Sequence, residues 1–174
     1  AICEPMSRPG MRFVAVKSVE QQDIQAAHRI REELVRQRTA KSNQIRGLVG
    51  EYGIVAPIGI HQLRRALQLW LEDGENGLTD DFRALLAGLA DDRRYLDNRI
   101  TGLDERIAVC VKTDPVARRL LELRGVGPLT ASALAGALGD GRAFSKGRDF
   151  AASIGLTPRQ HSTGGKERLL GITK

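Results

Sequence analysis

Sulfur and aromatic rings are scarce in this chain of 174 residues, which has two Cys, one Trp, two Tyr and four Phe. The cysteines, Cys3 and Cys110, have no metal-ligand spacing, and a single far-separated pair fits free thiols in a reducing cytosol better than a disulfide scaffold. The lone Trp70 has no basic neighbours on its own helical face, so it reads as core rather than as a platform for stacking bases. No apolar run approaches the ~18 residues of a membrane-spanning helix and no signal peptide is legible, so no membrane partner is expected. H-E-x-x-H, a Walker loop, a Cys cluster and G-x-S-x-G are all absent, and with them the familiar metalloprotease, nucleotide-binding and hydrolase signatures.

Positive charge is what the chain has in excess. Lys and Arg number 27 against 21 Asp and Glu, a net of +6 with a pI near 9.8, which points to a polyanionic partner. The distribution is uneven: Arg142, Lys146, Arg148, Arg159, Lys166, Arg168 and Lys174 face only Asp149 and Glu167, so +5 of the +6 falls after position 141. The length suits one core, or a compact domain with an extended helical element. The chain opens at Ala1 without Met and stops at Lys174 in a polar run, so both ends are expected to be cut.

Met11–Lys17 is short and β-prone and reads either as the last strand of an upstream domain or as an extended leader. Ser18 and Gln21 fit a capping box that opens a helix to about Tyr52, with Ile24, Ala27, Leu34, Ile45, Leu48 and Tyr52 at helical spacing. Arg31, Arg38 and Lys41 interrupt that stripe; they are either solvated or turned toward nucleic acid. Gly53–Gly59, with Pro57, breaks the helix, and His61–Glu72 resumes as a short packing helix with Leu63, Ala66, Leu67, Trp70 and Leu71 on one face. Thr79 caps a second long helix whose stripe is Phe82, Leu85, Leu86, Leu89, Leu96, Ile100, Leu103 and Ile107. Its carboxylates Asp91, Asp92, Asp97, Asp104 and Glu105 read as a solvated face. Two long amphipathic helices separated by a short one predict an antiparallel coiled-coil arm able to pair with a second subunit.

The last third carries the chemistry. Asp114-Pro115 opens a helix ended by Leu120 and Leu123; Gly125-Val126-Gly127 makes a tight turn, and Pro128 starts a second helix reaching Leu138. Gly125 and Gly127 can take positive φ and lack a Cβ, so the turn and the next helix's positive end, Thr130 included, can approach a phosphate. An ordinary corner between two helices is the alternative. Ser145 is expected to cap a last helix through Ile154, after which the basic, glycine-rich tail shows no period and reads as a loop. There Ser162 and Thr163 lie beside Arg159, His161, Gly164, Gly165, Lys166 and Arg168, groups that can hold a phosphate and stabilise developing charge while a hydroxyl attacks phosphorus. A phosphate-binding loop without chemistry is the other reading of the same residues.

Val126-Gly127-Pro128 with Thr130-Ala131, Phe150-Ala151-Ala152, Gly155 through Ser162, Gly164-Gly165-Lys166 and Gly171-Ile172-Thr173-Lys174 strongly resemble the insertion sequence 110 type of bacterial transposase. Ile2-Cys3-Glu4, Arg8-Pro9, Met11 through Val14 and Arg36 through Thr39 resemble the same family, so the likeness runs over essentially the whole chain. It implies an upstream RuvC-like domain whose Asp and Glu residues hold Mg2+, a coiled coil, and a C-terminal domain that supplies a nucleophilic serine. It also implies DNA and an element-encoded bridge RNA as partners, in a bacterial cytoplasm and at its nucleoid. Two positions depart from the family pattern: Arg124 stands where the hairpin usually has Pro, and Thr163 stands where Ser directly precedes the glycine, with Ser162 its neighbour.

The expected fold is therefore mainly α: a remnant of the upstream domain over 1–17, a coiled-coil region over 18–113, and a truncated C-terminal domain over 114–174 with a helix-hairpin-helix and a basic Gly-rich loop. Ser162 and Thr163 are the candidate nucleophiles; Gly125, Val126, Gly127, Thr130, Arg159, His161, Gly164, Gly165, Lys166 and Arg168 are the candidate DNA contacts. No metal site is expected within the chain, and without the upstream acids it is expected to be inactive alone. A non-catalytic nucleic-acid-binding module and a helical dimerisation scaffold are the competing readings.

Overall fold

The structure, a computed structural model, describes residues 16–139, 141–161 and 163–172. Among the described residues six helices come first and a two-stranded sheet last: α1 (Val19–Glu51), α2 (Ile60–Glu72), α3 (Asp80–Thr113), α4 (Pro115–Leu121), α5 (Pro128–Leu138), α6 (Gly147–Ser153), β1 (Pro158–Gln160) and β2 (Leu169–Ile172). The fold is mainly helical, as the periodicity predicts. Of the N-terminal segment read as a strand, positions 11–15 lie outside the described residues, and Val16 and Lys17 belong to no regular element. Ala26–Thr113 forms one compact unit; the described residues from Val16 to Gln25 group with the described residues from Asp114 on in a second.

Local chemistry sets the helix ends. Ser18 Oγ accepts from the Gln21 N–H at 3.3 Å while the Gln21 side chain accepts from the Ser18 N–H at 3.0 Å, a reciprocal capping box. Thr79 Oγ1 accepts from the Phe82 N–H at 3.2 Å at the start of α3. Asp114 Oδ1 accepts from the Val116 and Ala117 N–H groups at 2.8 and 3.2 Å, with Pro115 in the first helical position.

Within Ala26–Thr113 the main core joins Ile45 and Val49 of α1, Leu63 and Leu67 of α2, and Leu78, Phe82 and Leu86, with Trp70 packed against it as expected. Leu34, Leu96 and Ile100 form a smaller cluster farther along α1 and α3. Two stripe assignments change. Leu85 is 62% exposed, whereas Arg93 and Val111 are buried in its stead.

The three cations that interrupt the α1 stripe pair with carboxylates of α3 instead of facing outward to a ligand. Arg31 pairs with Asp104, Arg38 Nη1 donates to Asp97 Oδ1 at 3.2 Å, and Lys41 Nζ donates to Asp92 Oδ2 at 3.0 Å. These pairs fix α1 and α3 antiparallel in one register, so Asp97 and Asp104, read as part of a solvated face, turn toward α1 instead, while Asp92 reaches Lys41 from an exposed position. Asp91 stays exposed, 3.0 Å from Arg94.

In the other unit α5 buries only small groups, Ala131, Ser132, Ala135 and Gly136, which lets neighbours approach closely. A Cβ on Gly136 would meet Ile24 Cγ2 of α1 at 3.4 Å. Helix α6 begins one residue later than expected: Lys146 is its N-cap, and Ser145 Oγ donates to the Asp149 carboxylate at 2.8 Å rather than accepting from the backbone. Phe144 and Phe150 pack edge to face, ring centres 5.2 Å apart.

Candidate nucleic-acid interface and reactive hairpin

The sequence-derived site residues fall into two groups, each on its own element. Gly125, Val126, Gly127 and Thr130 lie in and just after the turn that joins α4 to α5. Helix α4 stops at Leu121, two residues before Leu123, which is 55% exposed in the turn. Gly125 takes φ +88°, a left-handed conformation that favours glycine. Gly127 does not: at φ −90° and ψ 176° it is extended and serves as the N-cap of α5, with Pro128 next.

No side chain caps α5 at this end. Its first N–H groups lack intrahelical acceptors by geometry, and Gly127 and Thr130 are exposed, so a positive helix end faces outward. Arg118 and Arg119 in the last turn of α4, and Arg124 in the connection, are exposed around it and add positive charge that motif reasoning passed over. Their signal in the sequence is only their nearness to the two glycines.

The second group corrects the expectation of a loop, because the tail is a β-hairpin. Strands β1 and β2 run antiparallel, Pro158 opposite Ile172 and Gln160 opposite Leu169, with a register irregularity between the two pairs. The pairing continues toward the turn: the His161 N–H donates to Arg168 O at 2.9 Å, and Thr163 pairs with Lys166, whose N–H donates to Thr163 O at 3.3 Å. Gly164 and Gly165 close it with φ +61° and +77°. Positive φ at both central residues is the type I′ arrangement, whose twist matches the two strands.

That pairing has a chemical consequence. Residues directly opposite share a face of a sheet, and residues two apart along a strand return to it. His161, Thr163, Lys166 and Arg168 therefore share one face: a hydroxyl set across from an ammonium, and an imidazole set across from a guanidinium. All four are exposed, as is Arg159 on β1. Ser162 lies outside the described residues. What the described face offers is one hydroxyl and clustered cations on a short, glycine-closed tip that a phosphate backbone can reach.

Among the described residues no three or more His, Cys, Asp or Glu side chains converge as metal ligands, and no helix is long and apolar enough to cross a membrane. Cys110 is an exposed free thiol, and Cys3 lies outside the described residues.

Residues 117–174, from α4 to the chain end, match the model of the transposase IS116/IS110/IS902 family. Over its whole length the chain is 46% identical to a probable family 20 transposase of Pseudomonas aeruginosa, covering 52% of that protein. It is 41% identical to the transposase for insertion sequence element IS1328 of Yersinia enterocolitica, covering 51% of it. It is 42% identical to the transposase for IS1111A of Coxiella burnetii, covering 48%. The chain spans about half the length of these relatives, corresponding to their C-terminal part. No solved structure matches it.

Proposed function

From the premise that this chain belongs to the IS116/IS110/IS902 family of transposases, we propose that it is the DNA-engaging, nucleophile-bearing part of a protein that cuts and rejoins DNA. The observation that carries this reading is the tail hairpin, which sets a hydroxyl among His161, Lys166 and Arg168 on one exposed face.

In the proposed step the hydroxyl oxygen of Ser162 or Thr163 attacks a backbone phosphorus. A protein–DNA ester forms as the bond from phosphorus to one DNA oxygen breaks. The departing oxygen takes up a proton, and the attacking hydroxyl gives its own to a base, for which His161, two residues before Thr163 on the same face, is a candidate. Arg159, Lys166 and Arg168 offset the charge that grows on the phosphoryl oxygens. Gly164 and Gly165 keep side-chain bulk away from the approaching backbone.

The same reading takes the α4–turn–α5 segment as a helix-hairpin-helix that grips phosphates through Gly125, Val126, Gly127 and Thr130, positioning DNA without reading its sequence. It takes α1 and α3 as a coiled-coil arm that also joins subunits, and a bridge RNA as the source of sequence choice. The described carboxylates are spread along helices, several of them held in ion pairs, and form no metal cluster. It is the family resemblance alone that assigns Mg2+ to acids of an upstream domain, and no step here runs through it.

A non-catalytic binding module is the second reading, favoured by the Thr163 departure, since a β-branched secondary hydroxyl is more hindered for in-line attack than serine. The two separate in the full-length protein with guide RNA and a DNA substrate, comparing Ser162→Ala, Thr163→Ala and Thr163→Ser for covalent adduct and strand exchange. Loss of adduct in one alanine variant names the nucleophile. Adducts persisting in both would end the hydroxyl reading of this hairpin.

A further inference from the structure

Arg93 lies in the middle of α3, 3% exposed, where the stripe from Leu89 to Leu96 would otherwise be apolar. Asp97, one turn on, is the carboxylate beside it: an Asp97 oxygen is 3.1 Å from Arg93 Nη1, without hydrogen-bond geometry. The same carboxylate accepts from Arg38 of α1. Nε and Nη1 of Arg93 and Nε of Arg38 are buried without a hydrogen-bond partner. Two guanidiniums thus share one carboxylate in a place where an unpaired charge is expensive to hold.

Among the described residues Asp97 is the one carboxylate whose charge supports Arg93, since Asp91 is taken by Arg94 at 3.0 Å. Arg64 of α2 and Arg94 of α3 add like charge, and burial first, then Arg64, Arg38 and Arg94, pull the Arg93 pKa down against the opposing effect of Asp97. Arg93 borders a cleft of about 350 Å³ between α2 and α3, with Arg64 and Gln68 on one wall and Arg94 and Asn98 on the other. The single carboxylate at its edge besides Asp97 is that of Glu72, which is occupied by the Gln68 amide at 3.2 Å. The cleft is therefore backed by a buried, under-compensated cation and bordered by two exposed cations, of which Arg94 also pairs with Asp91, together with side-chain amides.

We propose that this cleft is an anion site that takes a phosphate group, with the Arg93 guanidinium behind it and Arg64 and Arg94 at its mouth. Planar guanidinium donors match phosphate oxygens in pairs, and the partly apolar walls strengthen each contact by excluding water. The occupant is either free phosphate or a phosphodiester of a nucleic-acid strand. The site is separate from the tail hairpin and does not depend on the reactive role assigned there.

The test titrates inorganic phosphate into the full-length protein by calorimetry, at ionic strength held constant with chloride, for wild type, the Arg64→Gln/Arg94→Gln double variant and Arg93→Met. The exposed double variant leaves the core alone, so it remains informative if Arg93→Met repacks. Phosphate affinity is expected to fall roughly tenfold or more in each, the effect of removing a charge-assisted contact. Undiminished phosphate affinity in the double variant, or no phosphate binding in wild type, overturns the proposal. Competition by a short single-stranded oligonucleotide, itself weakened by the double variant, identifies a backbone phosphodiester as occupant. Retained phosphate binding in its presence identifies free phosphate.

Discussion

Arg38 and Asp97, 59 positions apart in the sequence, meet across α1 and α3 with Nη1 3.2 Å from Oδ1, and the other oxygen of the same carboxylate faces Arg93. Asp97→Ala leaves two enclosed guanidiniums without their counter-charge. It is expected to cost on the order of 3–5 kcal/mol. Asp92→Ala removes the partner of Lys41 where the carboxylate is 60% exposed, and is expected to cost under about 1 kcal/mol. Urea denaturation midpoints compare the two, and equal losses would contradict a buried charge layer.

His28 on α1 is half-buried; burial first and the Arg31 charge second push its pKa below the ordinary 6.5. A folded pKa below the unfolded one means that the folded chain binds fewer protons. The stabilising contribution is complete above about pH 6.5 and is lost as pH falls from there through the folded value. Stability measured between pH 7 and pH 5 is expected to decline less steeply in His28→Gln than in wild type. Identical pH profiles would assign the decline to other groups.

Gly165 closes the tail hairpin at φ +77°. Gly165→Val forces a branched side chain into a left-handed conformation, at roughly 1–2 kcal/mol, in a hairpin of three- and four-residue strands. Gly165→Asn suits the same turn. Exchange protection of the His161 N–H, which donates to Arg168, is expected to vanish in the valine variant and to persist in the asparagine one. Protection unchanged by valine would mean that the turn is not type I′.

Duplex DNA binding by the 174-residue chain is expected to fall with salt at a log–log slope of roughly −4 to −5, for about five neutralised phosphates. Lys166→Gln and Arg168→Gln should each flatten that slope by about one. A slope near zero for wild type would remove the electrostatic basis of the interface.

What the sequence disclosed was mostly local. Ser18 with Gln21, Thr79, and Asp114 with Pro115 marked helix starts to the residue, because a cap satisfies backbone groups within three positions of itself. The charge seam was not legible: Arg31 and Asp104 are 73 positions apart, and on a single helix each looks like an ordinary surface charge. Leu85 was misplaced and Arg93 overlooked for a related reason, since the periodic stripe assumes that inward positions are apolar. In the tail, strands this short leave no visible alternation, yet Gly164-Gly165 was itself the available hairpin signal. That Thr163, Lys166, His161 and Arg168 share a face follows only from the pairing.

The ion pairs that cross between the two long helices segregate their charges by sign, Arg31, Arg38 and Lys41 on α1 against Asp104, Asp97 and Asp92 on α3, with Arg93 beside Asp97 the one buried cation on the acidic side. Two copies of α1 laid together along that stripe would set cation against cation, and two copies of α3 would set acid against acid. Each helix is thus addressed to its opposite number and repels its twin. Any assembly built through this stripe must exchange an α1 for an α3, as domain-swapped copies do, while association of intact α1–α3 pairs has to use their outer faces.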